Sequence, residues 1–338
     1  MKIIISAREV EELLRNGGDA KSIPGDAILT PSARDLLRDF ENNGAANGAP
    51  KALPAAANGN HEKFFNSPEM HALKLQICEV GRRLWHRAYV DGNGGNIAIR
   101  VGDNLALCTP TLVSKGFMKP EDMCLVDLDG TQLAGTKKRT SEILMHLQIM
   151  KRQPRALATV HCHPPHATAF AVAGVEPPTC MIPEIEVFIG KVPIAPYRTP
   201  GTPEMGKLVA DLTEHHNTIL MANHGVVSWS HVSVEDAYFK MEIIEAYCRT
   251  VVVASQLGGT LKTFSTTHLQ DLLKIKQTLG IPDPRIGLKE CELCNNDEWR
   301  PGATCAVLPK GLESGAPDAE AEALVEAITG EIMSKMKG

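Results

Sequence analysis

The stretch Ala156-Leu157-Ala158-Thr159-Val160-His161-Cys162-His163 decides how the rest of the chain is read. Residues 156–160 form an apolar run of strand length, and the run reads as a buried strand. Side chains two apart on a strand share a face, so His161 and His163 can converge on one ion. Cys162, between them, is expected on the opposite face, in the core. A second apolar run, Thr218-Ile219-Leu220-Met221-Ala222, ends at Asn223-His224-Gly225 and can deliver a third imidazole. Three imidazoles with the carboxylate of Glu142 make a full tetrahedral shell for zinc or a similar divalent ion. A lone His-x-His would carry little weight; two strand ends and an acidic residue together point to one metal ion per subunit, zinc foremost.

Composition bounds the alternatives. The chain has 338 residues, length for about two domains. Its hydrophobic share of 43% supplies a sizeable core, and its net charge of -5 offers no basic field for nucleic acid or anionic lipid. No apolar run approaches the roughly 20 residues needed to span a bilayer. Met1–Ser6 is apolar only briefly before Arg8-Glu9 and does not read as a secretory signal. Nine cysteines in an otherwise ordinary composition fit a reducing, cytoplasmic setting better than a disulfide framework.

The chain divides by composition. Residues 1–40 read as a small N-terminal module with two short amphipathic patterns, one over Val10, Leu13 and Leu14, the other after Thr30-Pro31. Residues 41–67 open with Asn, Gly, Ala and Pro and read as a flexible linker. The main domain is expected over 68–280: a helix carrying Leu73, Ile77, Val80 and Leu84, strands over 97–101, 105–109 and 125–128, a helix over 141–151, and a long helix over 234–257. Strand pairs mixed with helices predict an α/β sheet with helical cover. A C-terminal extension and linker occupies 281–317. Residues 318–338 then read as an amphipathic helix with Leu324, Ile328, Ile332 and Met336 on one stripe, which needs a groove to bury it.

From about residue 70 to 258 the chain resembles the class II aldolase/adducin family, which includes fuculose-phosphate and rhamnulose-phosphate aldolases and a sugar-phosphate 4-epimerase. The resemblance is carried by Gly95-Asn96-Ile97-Ala98, Thr109-Pro110-Thr111 with Lys115-Gly116-Phe117, Thr140-Ser141-Glu142, His161-Cys162-His163-Pro164-Pro165-His166, Ala195-Pro196-Tyr197 with Pro200-Gly201-Thr202, and Asn223-His224-Gly225. It implies a three-layer α/β/α fold around a mixed, mostly antiparallel sheet, and a homotetramer with sites at subunit interfaces. It places the family's metal ligands on His161, His163 and His224, and its acidic residue on Glu142. In the resembled aldolases that glutamate leaves the metal and serves as the catalytic base, whereas the epimerase has aspartate there.

The resemblance also implies a substrate-phosphate site on Gly95, Asn96, Thr111, Leu112, Thr140 and Ser141. Leu112 departs from the family's glycine, and its side chain is expected to narrow or reshape the pocket. The tyrosine that donates a proton in fuculose-phosphate aldolases is missing: Ile182-Pro183-Glu184-Ile185-Glu186 is followed by Val187. Glu184 and Glu186 are the candidate proton donors, each equally open to being solvated or ion-paired.

The implied activity is cleavage of a ketose 1-phosphate, L-fuculose or L-rhamnulose 1-phosphate, to dihydroxyacetone phosphate and lactaldehyde through a metal-stabilised enediolate. A 4-epimerase or dehydratase on the same scaffold is the alternative; an adducin-like scaffold without catalysis fits less well because all the ligands are present. Residues 318–338 resemble an encapsulation peptide, so shell proteins of a bacterial microcompartment are an expected partner and that compartment an expected location. Cys291-Glu292-Leu293-Cys294 is a single pair, half of what a second zinc site requires.

Overall fold

The computed structural model describes residues 60–281 together with Ile4–Ile5, Ile23, Ile28–Leu29, Asp283, Arg285 and Ile286. The helical patterns expected within 1–40, most of the linker, Cys291 and Cys294, and the segment 318–338 lie outside the described residues. Strands β1 (Ile4–Ile5) and β2 (Ile28–Leu29) pair in parallel, Ile4 opposite Ile28. Residues 61–65 form helix α1 (His61–Phe65), capped by the Asn60 side chain, and Phe64 and Phe65 are buried. Two adjacent phenylalanines are enough to pull this helix onto the fold.

The fold is α/β, a mixed sheet with flanking helices, and the chain forms two contact units. The first comprises Met1–Cys162, Arg198–Ala210 and Trp229–Ala237. Within it, helix α2 (Pro68–His86) starts at an N-cap, Ser67, whose hydroxyl accepts from Met70 N–H, with Pro68 in the first turn. Its buried face is Met70, Ile77, Val80, Gly81 and Leu84. Strands β3 (Asn96–Gly102), β4 (Leu105–Cys108), β5 (Cys124–Asp127), β6 (Gln132–Ala134) and β7 (Ala158–Cys162) make an antiparallel array in the order β6-β5-β4-β3-β7. β4 and β7 are buried at every residue, which is why their sequences run apolar rather than alternating. Helix α3 (Ile143–Arg152) follows the turn at Thr140–Glu142 and buries Ile143, Met145, His146, Leu147, Ile149 and Met150.

The second unit comprises His163–Tyr197, Asp211–Ser228 and Tyr238–Gly338. Helix α4 (Pro165–Ala173) stops at Gly174 and helix α5 (Pro183–Phe188) follows. Strands β8 (Ile194–Ala195), β9 (Thr218–Met221) and β10 (Gly225–Ser230) continue the chain. β9 pairs in parallel with β8 and antiparallel with β10, which makes the sheet mixed. Between β8 and β9 runs α6 (Pro203–Leu212), most of it in the first unit, and the long helix α7 (Val234–Gln256) comes after β10.

Helix α8 (Thr266–Thr278), capped by Ser265, buries Leu269 and Leu273 against Cys180. Cys180 is disulfide-bonded, while Cys78, Cys108, Cys124, Cys162 and Cys248 are buried thiols. No helix among the described residues is long and apolar enough to cross a membrane.

A buried ionic cluster ties α8 to α5. Lys276 Nζ lies 2.7 Å from Asp283 and donates to the Ile189 carbonyl at 2.8 Å. Arg285 bridges Asp283 at 2.9 Å and Glu186 at 2.6 Å. Gly190, at φ +87°, leaves room for this cluster: a Cβ there would come within 2.5 Å of both Asp283 Oδ2 and Lys276 Nζ. Burial alone would raise the Asp283 pKa, but hydrogen bonds from Arg285 and the Lys276 charge hold the carboxyl far below the usual carboxylate range. Lys276→Met should therefore cost about 3 kcal/mol at neutral pH, read by denaturant unfolding, because it removes one member of a buried ion cluster. Asp283's depressed pKa makes its share of stability complete above the unfolded value of about 3.9 and lost as pH falls below it, so the penalty should shrink in acid.

Candidate metal centre

β7 delivers His161 fully buried, and His163 follows two residues on, just past the strand end. Cys162 between them is fully buried, as period-two alternation requires. The third imidazole comes from a three-residue turn joining β9 to β10, whose register sets Gly225 opposite Met221. Asn223 occupies the left-handed conformation there, φ +56°, which asparagine tolerates better than most residues. Its N–H donates to Ala171 O at 3.2 Å, and His224 N–H donates to Met221 O at 3.0 Å, so the turn is pinned on both sides of the ring it presents. The His163 and His224 ring centroids are 5.5 Å apart.

One ring nitrogen from each of His161, His163 and His224 falls within 4.8 Å of the other two. Donors of a tetrahedral zinc site, each about 2.0–2.1 Å from the ion, sit roughly 3.3 Å apart. Three imidazole nitrogens gathered this closely are a donor set that fits a zinc-like ion.

Glu142 stands beside this set, its Oε2 3.4 Å from His161 Nε2. It sits at the N-cap of α3, behind Thr140, whose hydroxyl accepts from Glu142 N–H at 3.4 Å. A chain of hydrogen bonds fixes the carboxylate. Asn96 Nδ2 donates to Glu142 Oε2 at 2.7 Å. Asn96 Oδ1 lies 2.5 Å from His146 Nε2, and His146 Nδ1 lies 2.6 Å from Thr159 Oγ1. His146 is fully buried, and burial pushes its pKa down to about 3, so the ring is neutral. A neutral ring with Nε2 against a carbonyl oxygen carries its proton on Nε2 and accepts the Thr159 hydroxyl at Nδ1. That polarity holds the Asn96 amide with its NH2 toward Glu142. The sequence reading missed His146. The available signal was its place four residues after Glu142, one turn on along the same helix face.

The remaining candidates fall in several places. Gly95, φ +72°, packs so closely under β7 that a Cβ would come within 2.9 Å of the His161 carbonyl. Asn96 is buried with its amide engaged by Glu142 and His146, leaving one amide hydrogen over. Thr111 N–H donates to Lys138 O at 2.9 Å and Thr140 N–H to Thr109 O at 3.0 Å, which lays the two hydroxyl-bearing segments side by side. Ser141 is exposed and Thr140 buried. Leu112 is 80% exposed and holds φ +58°, so it keeps a backbone shape that glycine adopts freely. Glu184 is exposed. Glu186 is fully buried and accepts from Cys180 N–H as well as pairing with Arg285. His166 bonds Glu245 through Nδ1 at 2.7 Å, and Glu245 also accepts the His166 and Ala167 N–H groups at the start of α4.

Two outcomes follow from this geometry. Replacing His224 by alanine should weaken zinc by more than about a hundredfold in a chelator competition, since losing even an outer partner of a ligand costs 10–100-fold. Leu112→Gly should leave the protein as stable or more stable by up to about 1 kcal/mol in thermal unfolding, because relief of the left-handed strain outweighs the extra entropy of glycine.

The segment that carries these residues is shared with known proteins. Residues 75–252 match the family model described as the class II aldolase and adducin N-terminal domain. An L-fuculose phosphate aldolase of Methanococcus maripaludis is 35% identical over 183 residues, covering 54% of this chain and 96% of that protein. A 3-oxo-tetronate 4-phosphate decarboxylase of Cupriavidus necator is 33% identical over 213 residues, covering 60% of this chain and 97% of its own length. Among solved structures, a Klebsiella pneumoniae protein named only as a candidate aldolase/epimerase/decarboxylase superposes with a TM-score of 0.54 at 27% identity, covering 60% of this chain and 97% of that one. With its core segment matched throughout, the chain belongs to the class II aldolase and adducin N-terminal domain family.

Proposed function

We propose that the protein is a metal-dependent aldolase that cleaves a ketose 1-phosphate, L-fuculose or L-rhamnulose 1-phosphate, to dihydroxyacetone phosphate and lactaldehyde. The observation that carries this reading is the Glu142 carboxylate, oriented by Asn96 and His146 beside three convergent imidazoles. His161, His163 and His224, with Glu142 as a displaceable fourth ligand, would hold one divalent ion, zinc foremost. A bound ion of this kind supplies a Lewis acid for the substrate's ketone oxygen.

The chain's own residues then account for proton movement. Glu142 takes the proton from the C4 hydroxyl, the C3–C4 bond breaks, and its electron pair moves into the ketone as an enediolate. The C4 oxygen leaves as the aldehyde of lactaldehyde, and C3 is later protonated to give dihydroxyacetone phosphate. Asn96 serves this step by donating to Oε2 of the carboxylate, which holds the group in the orientation the transfer needs. Glu186, paired with Arg285, is poorly placed to supply the returning proton, and exposed Glu184 is the better candidate of the two. Backbone amides and hydroxyls of Gly95-Asn96, Thr111-Leu112 and Thr140-Ser141 would receive the phosphate.

The relatives named as decarboxylases support a second reading, in which the same electron flow follows loss of carbon dioxide from a 3-oxo acid phosphate. Decarboxylation requires no hydroxyl proton to be removed, so it needs Glu142 less. Assays across ketose phosphates and a 3-oxo-tetronate phosphate, with and without chelator, separate the two: lactaldehyde release supports the aldolase, carbon dioxide release the decarboxylase. Glu142→Gln should lower aldol cleavage by about 10²–10⁴-fold while the fold is kept; near-normal turnover would refute the base.

A further inference from the structure

Lys115 is 1% exposed, a degree of burial that lysine reaches only with partners. Its Nζ donates to Asn93 O at 2.9 Å and to Val113 O at 2.7 Å. Those carbonyls belong to the two loops that carry Gly95-Asn96 and Thr111-Leu112. The ammonium therefore sits between two segments that are far apart in sequence and that the proposed function assigns to one phosphate. Because a trans peptide sets C=O and N–H on opposite sides, turning the Val113 carbonyl inward sends the Ser114 N–H outward. The backbone that carries Lys115 is itself clamped: a Cβ on Gly81 of α2 would lie 2.5 Å from Lys115 O, and one on Gly116 would lie 2.5 Å from the Trp85 ring. α2 thus fixes where the ammonium can reach.

We infer that Lys115 is a positioning residue for phosphate recognition: its buried ammonium straps the 91–96 turn to the 111–114 loop and holds their donors toward one phosphate monoester, with its positive charge beneath the anion. The inference rests on the phosphate reading of the preceding subsection. Burial lowers the Lys115 pKa to about 8 and the Glu142 charge pulls it back up, so the side chain is a cation at neutral pH. An ammonium shielded from water acts on an anion with little screening. A lysine that merely filled space would place no requirement on phosphate affinity.

The test uses inorganic phosphate as the probe, by calorimetry on the full-length, zinc-loaded protein and its Lys115→Met and Lys115→Gln variants. Lys115→Met should weaken phosphate by about tenfold or more, the factor expected when charge-assisted hydrogen bonds are lost. KM for the phosphorylated substrate should rise by a similar factor, with kcat within about threefold and zinc stoichiometry unchanged, as expected for loss of uniform binding. Lys115→Gln keeps amide donors for the carbonyls but lacks the charge, so it should fall between the two, and it carries the test if Lys115→Met does not fold. Phosphate affinity within about twofold of wild type in the folded variants would overturn the role of Lys115 while leaving the phosphate reading intact. Absence of phosphate binding by the wild type would instead overturn the phosphate reading, and this inference with it.

Discussion

Everything at this site depends on bringing three imidazoles to one point and keeping them there. A fully buried histidine with its ring nitrogens in apolar surroundings is costly unless each nitrogen has a partner. The chain meets that demand by ending strands where the rings are needed. β7 fixes His161 by its ladder with β3, where Asn96 pairs with His161. The β9–β10 turn fixes His224 through the left-handed Asn223 and the Ala171 carbonyl. Strand ends are rigid supports, and a donor set built on them is more sharply positioned than one on loops.

The carboxylate is controlled differently. Glu142 begins a helix, and its aim is set by the direction of proton donation along Thr159, His146, Asn96 and Glu142. The low pKa of His146 matters because a ring that stays uncharged keeps one nitrogen as an acceptor, here Nδ1 for the Thr159 hydroxyl. The same asparagine, buried between His146 and Glu142, joins the start of β3 to the carboxylate mechanically. Lys115 adds a second tie between the loops on either side.

Much of this was legible in the sequence because it is periodic. His161 and His163 share a face by strand alternation, and the apolar runs before His161 and His224 mark β7 and β9. The strands over 97–101, 105–109 and 125–128 and the helix over 234–257 are present as β3, β4, β5 and α7. What escaped depends on pairing at long range. His146 reads as one more residue among the buried positions of α3, and its role shows only when Asn96, 50 residues earlier, is found against it. Whether Glu186 was solvated or paired could not be read locally, since Arg285 lies far along the chain. α8 carries Lys274 and Lys276 among its apolar residues, one exposed and one buried, so its pattern was weak. Leu112 was visible as a departure from a glycine; only the backbone shows that it keeps the left-handed turn.

The most direct measurement is anomalous diffraction at the zinc edge from crystals grown with zinc. The account predicts a single strong peak in each chain, about 2.0–2.1 Å from a ring nitrogen of His161, His163 and His224. A peak elsewhere, or one bound without His224, would contradict it.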